Sequence, residues 1–490
     1  MRALLERSFK GATDFRGATF NEGVYFDHVT FEEVHFSEAN YEATFKGNVS
    51  FLGTTFTKAH FQNAIFEKDA YFDKTVIGEG NFSKARFENE TTFGEAAFEG
   101  WVSFSDATFE KRASLNDVAF KGLAQFADTT FLEDVAFERA VFSDVADFSK
   151  AKFCAASIGT TDFSGASFKG LAYFFDSTFE GQAHFNDATF ETVTFEDATF
   201  SEGAYFSRAT FKSEAYFRGR ETFSRVADFQ FARIEKPEVF SFHSARLRPS
   251  WFVNVDPRKF DFTEVQWPER LGGPKVTLDD EISSLQRRGV QHFYNPYILL
   301  SQVCRRLSTN AEENHEYPLA NEFHYWSMDA LRIGRWRYLG WLRQFIEKNW
   351  RRISARFGLM ATLLWIWRIF RREPLRHRMP SRFGLVPTFY WALNGYGVRA
   401  GRAFWMLVAI WAAFTTLYVL VGPSEFKDFG QGIGYRWQAA VYSLLALARL
   451  NPEPRPEEPG AFQFLVGVEG ILGPLQIALL ALAVRRRVMR

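Results

Sequence analysis

The chain has 490 residues, with 58 Lys+Arg set against 58 Asp+Glu and with 58 Phe. The zero net charge conceals an asymmetry: residues 1–250 carry about a dozen more acids than bases, and residues 251–490 about the reverse. Two cysteines, Cys154 and Cys304, exclude a disulfide framework or a cysteine zinc site and fit a reducing compartment, and the opening MRALLERSFKG is too short and too charged for a signal peptide.

From Phe15 to Ile234 a large apolar residue, nearly always Phe, recurs about every five or six residues. The run FEDATFSEGAYFSRATFKSEAYF carries Phe195, Phe200, Phe206, Phe211 and Phe217 on this beat. A helix repeats at 3.6 residues and a strand at 2, so neither uses such a period. A solenoid does, because each short segment turns a corner and points one large side chain inward. From Phe82 to Phe153 the steps alternate, so the unit is about eleven residues with two inward side chains. Two residues before each beat the side chain is small, as at Ala85, Thr91, Ala96, Ala107 and Ala124, which suits a narrow second inward row. Gly, Asp, Asn, Lys and Glu between the rows suit turns and solvated corners. Ile77, Leu115, Ile158 and Ile234 stand on the beat in place of Phe, and the step breaks near 41–51 and 153–168.

This pattern resembles the pentapeptide-repeat family in its Phe-rich form. The resemblance implies a right-handed quadrilateral β-helix over 1–248, four repeats to a turn, roughly eleven turns at about 4.8 Å each. Its Phe residues read as core. His28, His35, His60, His184 and His243 fall on outward positions and share no metal-binding spacing, so they read as solvated surface, and no metal or cofactor is expected. The excess of acids reads as solubility; the alternative is an acidic rod that imitates nucleic acid toward a topoisomerase, as some soluble relatives of this type are thought to do.

Residues 249–332 form a linker and helical hairpin. Prolines and a Gly-Gly-Pro mark the boundary, and helices are expected over about 297–307 and 316–332, with Ala320 at a close contact and Cys304 in the core. The pair resembles one tetratricopeptide-type hairpin. Residues 333–398 are basic and Trp-rich, with Arg351, Arg352, Arg371 and Arg372 among many arginines and Trp336, Trp341, Trp350, Trp365 and Trp367 interleaved. This composition suits an anionic membrane surface; nucleic acid is not the expected partner, because the apolar 357–367 is ill suited to a nucleic-acid-contacting helix.

Residues 399–490 read as a transmembrane hairpin with spans over 403–421 and 461–484. Arg399 and Arg402 precede the first, and Arg485, Arg486, Arg487 and Arg490 follow the second, so both ends face the cytoplasm by the positive-inside rule. Between them 437–450 is apolar but too short to span. Span, short re-entrant helix, irregular segment, span: this order resembles the two-helix pore domain of the potassium-channel superfamily, and EGILG at 469–473 is similar to the start of the inner helix in bacterial relatives. The resemblance implies a bacterial inner-membrane protein and an oligomer, a tetramer by analogy. The selectivity filter is missing, since Pro452, Pro454 and Pro456 occupy its place and Arg449 repels cations. The Gly395–Gly397 GYG precedes the first span and reads as a turn.

Glu469 lies inside a span, where an ionisable group is a functional residue by default. It either lines a pore or makes an inter-helix hydrogen bond; Gly467, Gly470 and Gly473 permit close packing, and Pro474 a kink. The expected whole is a non-enzymatic β + α membrane protein, a cytosolic solenoid arm joined to an oligomeric, channel-like domain that is non-selective, anion-preferring or closed. The alternative is a non-conducting, membrane-anchored protein-binding scaffold.

Overall fold

The computed structural model describes residues 8–37, 42–153, 159–220, 222–267, 278–287, 295–334, 400–421, 433–448 and 461–488. The chain divides into two compact units, Met1–Leu285 and Gln286–Arg490.

The first unit is a parallel β-solenoid of about eleven turns. Short strands pair in parallel with the strand one turn on: Ile65 sits opposite Arg86, and Arg86 opposite Thr108. A turn therefore takes 21 or 22 residues, which the alternating steps of five and six predict. The steps from His35 to His60 and from Val135 to Thr161 are longer. The longer steps include 38–41 and 154–158, which with Cys154 lie outside the described residues, and they coincide with the breaks expected near 41–51 and 153–168.

Each turn sends four side chains inward, giving four columns. One column runs Phe66, Phe87, Phe109, Phe131 with rings stacked at 4.6–4.9 Å. Another runs Phe82, Phe104, Phe126, Phe148 at 4.8–5.0 Å. The other two contain Ile77 between Phe56 and Phe98, and Leu115 between Phe93 and Phe137. Inter-strand spacing sets the ring distance within a column, while rings of neighbouring columns meet edge to face, as Phe93 does with Phe104 at 86°, or tilted, as Phe104 does with Phe109 at 45°. Both arrangements suit the ring quadrupole, so one residue type fills the interior without conflict.

The small residue before each beat is buried in the wall. At several positions where it carries a hydroxyl, that hydroxyl donates to a carbonyl, as Thr129 Oγ1 does to Phe104 O at 2.8 Å and Ser177 Oγ to Phe174 O at 2.8 Å. Alternate corners are tight turns closed by bonds such as Ala85 N–H to Phe82 O. Their third residue has positive φ, and one corner column reads Gly53, Lys74, Glu95, Asp117, Arg139, Gly165, Asp187, Arg208. On another corner Gly100 is required by close approach, because a Cβ there would meet the Gly78 carbonyl oxygen at 2.5 Å.

Parallel pairing continues past 248: Asp261–Thr263 pairs with Ser241–His243. Aromatic residues gather at this end, with Phe252, Phe260, Phe262 and Trp267 in mutual contact. Helix α1 (Leu278–Arg287) buries Ile282 and Leu285, and its buried Glu281 accepts the Ser250 N–H at 3.0 Å.

In the second unit, α2 (Pro296–Glu313) starts at an Asn295 cap that accepts the Tyr297 N–H. With α3 (317–334) it makes a helical hairpin, joined by Ser308 Oγ donating to Ala320 O at 2.9 Å and by Ser301 and Ser327 at 3.0 Å. Cys304 and Ala320 are buried. Further on come α4 (Ala400–Val421), α5 (Ile433–Leu447) and α6 (Ala461–Val488). Residues 335–399 lie outside the described residues, and so do the surface candidates Arg351, Arg352, Arg371 and Arg372.

Candidate functional site

Helices α4, α5 and α6 pack on one another around Phe414, Tyr418, Ala439 and Tyr442. Two of them contain stretches long and apolar enough to cross a membrane, Ala403–Leu420 and Phe464–Leu482. The fully buried Glu469 of α6 stands at their meeting point. Tyr418 of α4 donates to its Oε2 at 2.6 Å, and Ser443 of α5 approaches its Oε1 at 2.5 Å. Both carboxyl oxygens thus have hydroxyl partners, one from each neighbouring helix. Ser443 Oγ also lies 3.3 Å from the Trp411 carbonyl, and the Trp411 indole N–H donates to Ala440 O at 2.9 Å. Lower on α6, Gln476 Nε2 donates to Ala403 O at 2.9 Å.

At Gly473 α6 comes close to α5: a Cβ there would meet Leu447 O at 2.5 Å. Gly467 and Gly470 have open space at the corresponding position. Helix α6 runs on through Pro474. Arg449 lies outside the described residues.

The distribution of polarity around these helices is inverted relative to a soluble bundle. The polar residues Glu469, Gln476 and Ser443, with Tyr418, are buried. The exposed large residues include Phe404, Trp405, Leu417 and Leu420 on α4, Trp437 and Leu444 on α5, and Phe464, Ile471, Leu475 and Leu482 on α6. Thr416, also exposed, turns its hydroxyl back onto Ala412 O at 2.8 Å.

The solenoid wall holds a second cluster. Glu33 and His35 end the strand Thr30–His35 on its outward face, and His60 ends Thr55–His60 in register with His35. The two imidazoles stack at 4.6 Å with planes 3° apart. Glu33 Oε1 lies 3.2 Å from His35 Nε2 and 3.7 Å from His60 Nε2. Burial, and then the neighbouring His35, push the His60 pKa down. The expectation of separate solvated histidines fails here. His35 and His60 are one turn apart, and that turn is a long one, so their common position is hidden in linear spacing. The signal was present in the beat: each histidine immediately precedes a stacked pair, Phe36 and Phe61. His184 behaves differently, lying flat on Tyr205 at 4.9 Å, with burial pushing its pKa down and Asp162 opposing.

Sequence reasoning also missed Tyr418 and Ser443. A tyrosine in an apolar span and a serine in an apolar helix carry no pattern; only the position of Glu469 points to a need for donors.

Among known proteins, no curated sequence and no solved structure matches the chain. The family model described as Pentapeptide repeats (9 copies) matches residues 8–42, 41–76, 72–119, 156–199 and 174–219. Residues 8–119 and 156–219 therefore carry the pentapeptide repeat, here on a Phe-rich parallel solenoid.

Proposed function

We infer that the chain is a non-enzymatic, membrane-anchored binding scaffold: the solenoid presents a rigid surface to a protein partner, and α4–α6 fix it in the bilayer. The observation that carries this reading is the inverted polarity of α4–α6. In water such an arrangement exposes apolar surface without return, whereas in lipid the apolar faces are solvated and Glu469, Tyr418 and Ser443 satisfy one another. Glu469 then acts as an inter-helix lock, its two oxygens taken by Tyr418 and Ser443, and Gly473 lets α5 close on α6. The arginines flanking the spans favour cytoplasmic termini and an inner bacterial membrane, and Arg351, Arg352, Arg371 and Arg372 would meet anionic headgroups. The resemblance to pentapeptide-repeat proteins favours a right-handed, four-sided coil.

A second reading, an oligomeric and poorly selective pore, rests on the order span, short apolar helix, span. In it, Arg449 and the open faces at Gly467 and Gly470 would meet other subunits. One experiment separates the readings. Full-length protein should remain in the membrane fraction after alkaline carbonate washing, and should carry no current in planar bilayers. Release into the soluble fraction would remove the membrane reading. Reproducible unitary currents would replace the scaffold with the pore.

A further inference from the structure

We propose that Glu33, His35 and His60 form a binding site for a divalent transition metal of the zinc class, which bridges two consecutive turns of the solenoid. The donor set is two imidazole nitrogens and one carboxylate oxygen. This is the combination that three-ligand zinc sites use, with water in the fourth position. Ca²⁺ and Mg²⁺ prefer oxygen-only sets and are disfavoured here.

The geometry is close to what such a cation needs. The candidate ligand atoms all lie within 4.8 Å of one another. A tetrahedron with bonds of about 2.0–2.1 Å has edges of roughly 3.3 Å. The two Glu33–imidazole separations, 3.2 Å and 3.7 Å, bracket that edge. Both Nε2 atoms already address the same carboxylate oxygen. The strands need not move, since Glu33 and His35 share one face by strand alternation and His60 is their in-register neighbour.

One adjustment is required. The rings are parallel, so their lone pairs run side by side; each ring has to swing about its side-chain torsions until the two converge on one point. The side chains keep 26%, 29% and 38% of their surface for His35, His60 and Glu33, which leaves room for this swing and for a water ligand. The surrounding charges are already engaged. Asp14, opposite His35 on the preceding turn, binds Arg16 at 2.7 Å, and Lys58, opposite Glu33, lies 3.6 Å from Glu79. Asn81, opposite His60 on the following turn, bonds Gln62 at 2.9 Å. The occupied site would carry a net charge of one positive unit once the carboxylate is counted. It would also tie together turns otherwise joined by backbone bonds and stacked rings, so that metal level is read as rigidity of the solenoid near its N-terminal end.

The test uses purified full-length protein in detergent, stripped with chelator and titrated with Zn²⁺, with Co²⁺ as a spectroscopic stand-in. One Zn²⁺ should bind per chain at this site. Co²⁺ should give the intense visible ligand-field bands of a four-coordinate ion with nitrogen and oxygen donors. His60→Gln and His35→Gln should each weaken binding at least tenfold, Glu33→Gln should weaken it less, and His184→Gln should leave it unchanged. Thermal unfolding in chelator at one pH near 7.5 should show a cooperative transition for each of the four variants, so that lost affinity is separated from lost structure. Zn²⁺ affinity unchanged in the His35→Gln/His60→Gln double variant would overturn the proposal. So would the absence of any binding to the natural chain.

Discussion

At the scale of single residues, the solenoid asks most of its corners. Lys84, Glu95, Asp117, Arg139 and Arg208 all have φ near +60°, a region that favours glycine and asparagine and disfavours branched side chains. Cross-turn partners compensate at several of them, as where Arg139 binds Asp117 and Arg208 binds Asp187, each with two short hydrogen bonds. Lys84 is exposed and tests the backbone alone. Lys84→Val is expected to destabilise the solenoid by about 1–2 kcal/mol, and Lys84→Asn to be neutral or mildly stabilising, read from denaturant midpoints. A second residue-scale expectation concerns protons. His184 has a pKa below its unfolded value near 6.5. As pH falls through that value the unfolded chain takes up a proton that the folded chain refuses, so the His184 contribution to stability should drop as pH falls from 7 toward 5 and be flat above 7. His184→Gln should flatten part of this slope in pH-dependent melts followed by circular dichroism; an unaltered slope would count against the assignment.

At the scale of elements, the beat and the columns are the same fact seen twice. A period between five and six could be read directly because every inward position holds one large side chain, and parallel pairing then stacks like upon like. The hairpin was legible for a similar reason, since Pro296 and Ala320 are local signals of a helix boundary and a close contact, while the Asn295 cap emerged only in the structure. The three-helix lock was legible only in part. Glu469 announces itself by its cost in an apolar span, but its donors come from 51 and 26 residues away in sequence and obey no periodicity. The His35–His60 pair was hidden for a related reason: a long turn breaks the counting while leaving the register intact. Replacing Glu469 by Ala should leave Tyr418 and Ser443 facing an apolar cavity. It is expected to cost about 2–3 kcal/mol, seen as a lower melting temperature in detergent. Glu469→Gln, which keeps an acceptor oxygen, should cost less. Equal stability of all three proteins would show that the lock is idle.

At the scale of the whole molecule, the solenoid and α4–α6 treat charged groups in opposite ways. The solenoid encloses aromatic carbon and displays charge; α4–α6 enclose a carboxyl group and display aromatic and aliphatic carbon. Composition averaged over 490 residues hides this, because the acids of one half cancel the bases of the other. A partner on the solenoid therefore meets a polar, salt-sensitive surface, while whatever surrounds α4–α6 meets hydrocarbon.

The far end of the solenoid has a consequence of its own. A parallel stack finishes in an open edge, a row of amide groups ready to accept another strand, and such edges seed end-to-end fibres. Here the Glu281 carboxylate, supplied from outside the stack, holds the Ser250 N–H, with Arg248 at 3.9 Å on its other oxygen. A side-chain acceptor offers no further strand to copy. One amide near the end of the stack is thereby occupied, and the last paired strand, Asp261–Thr263, is only three residues long, too short an edge to template a long addition.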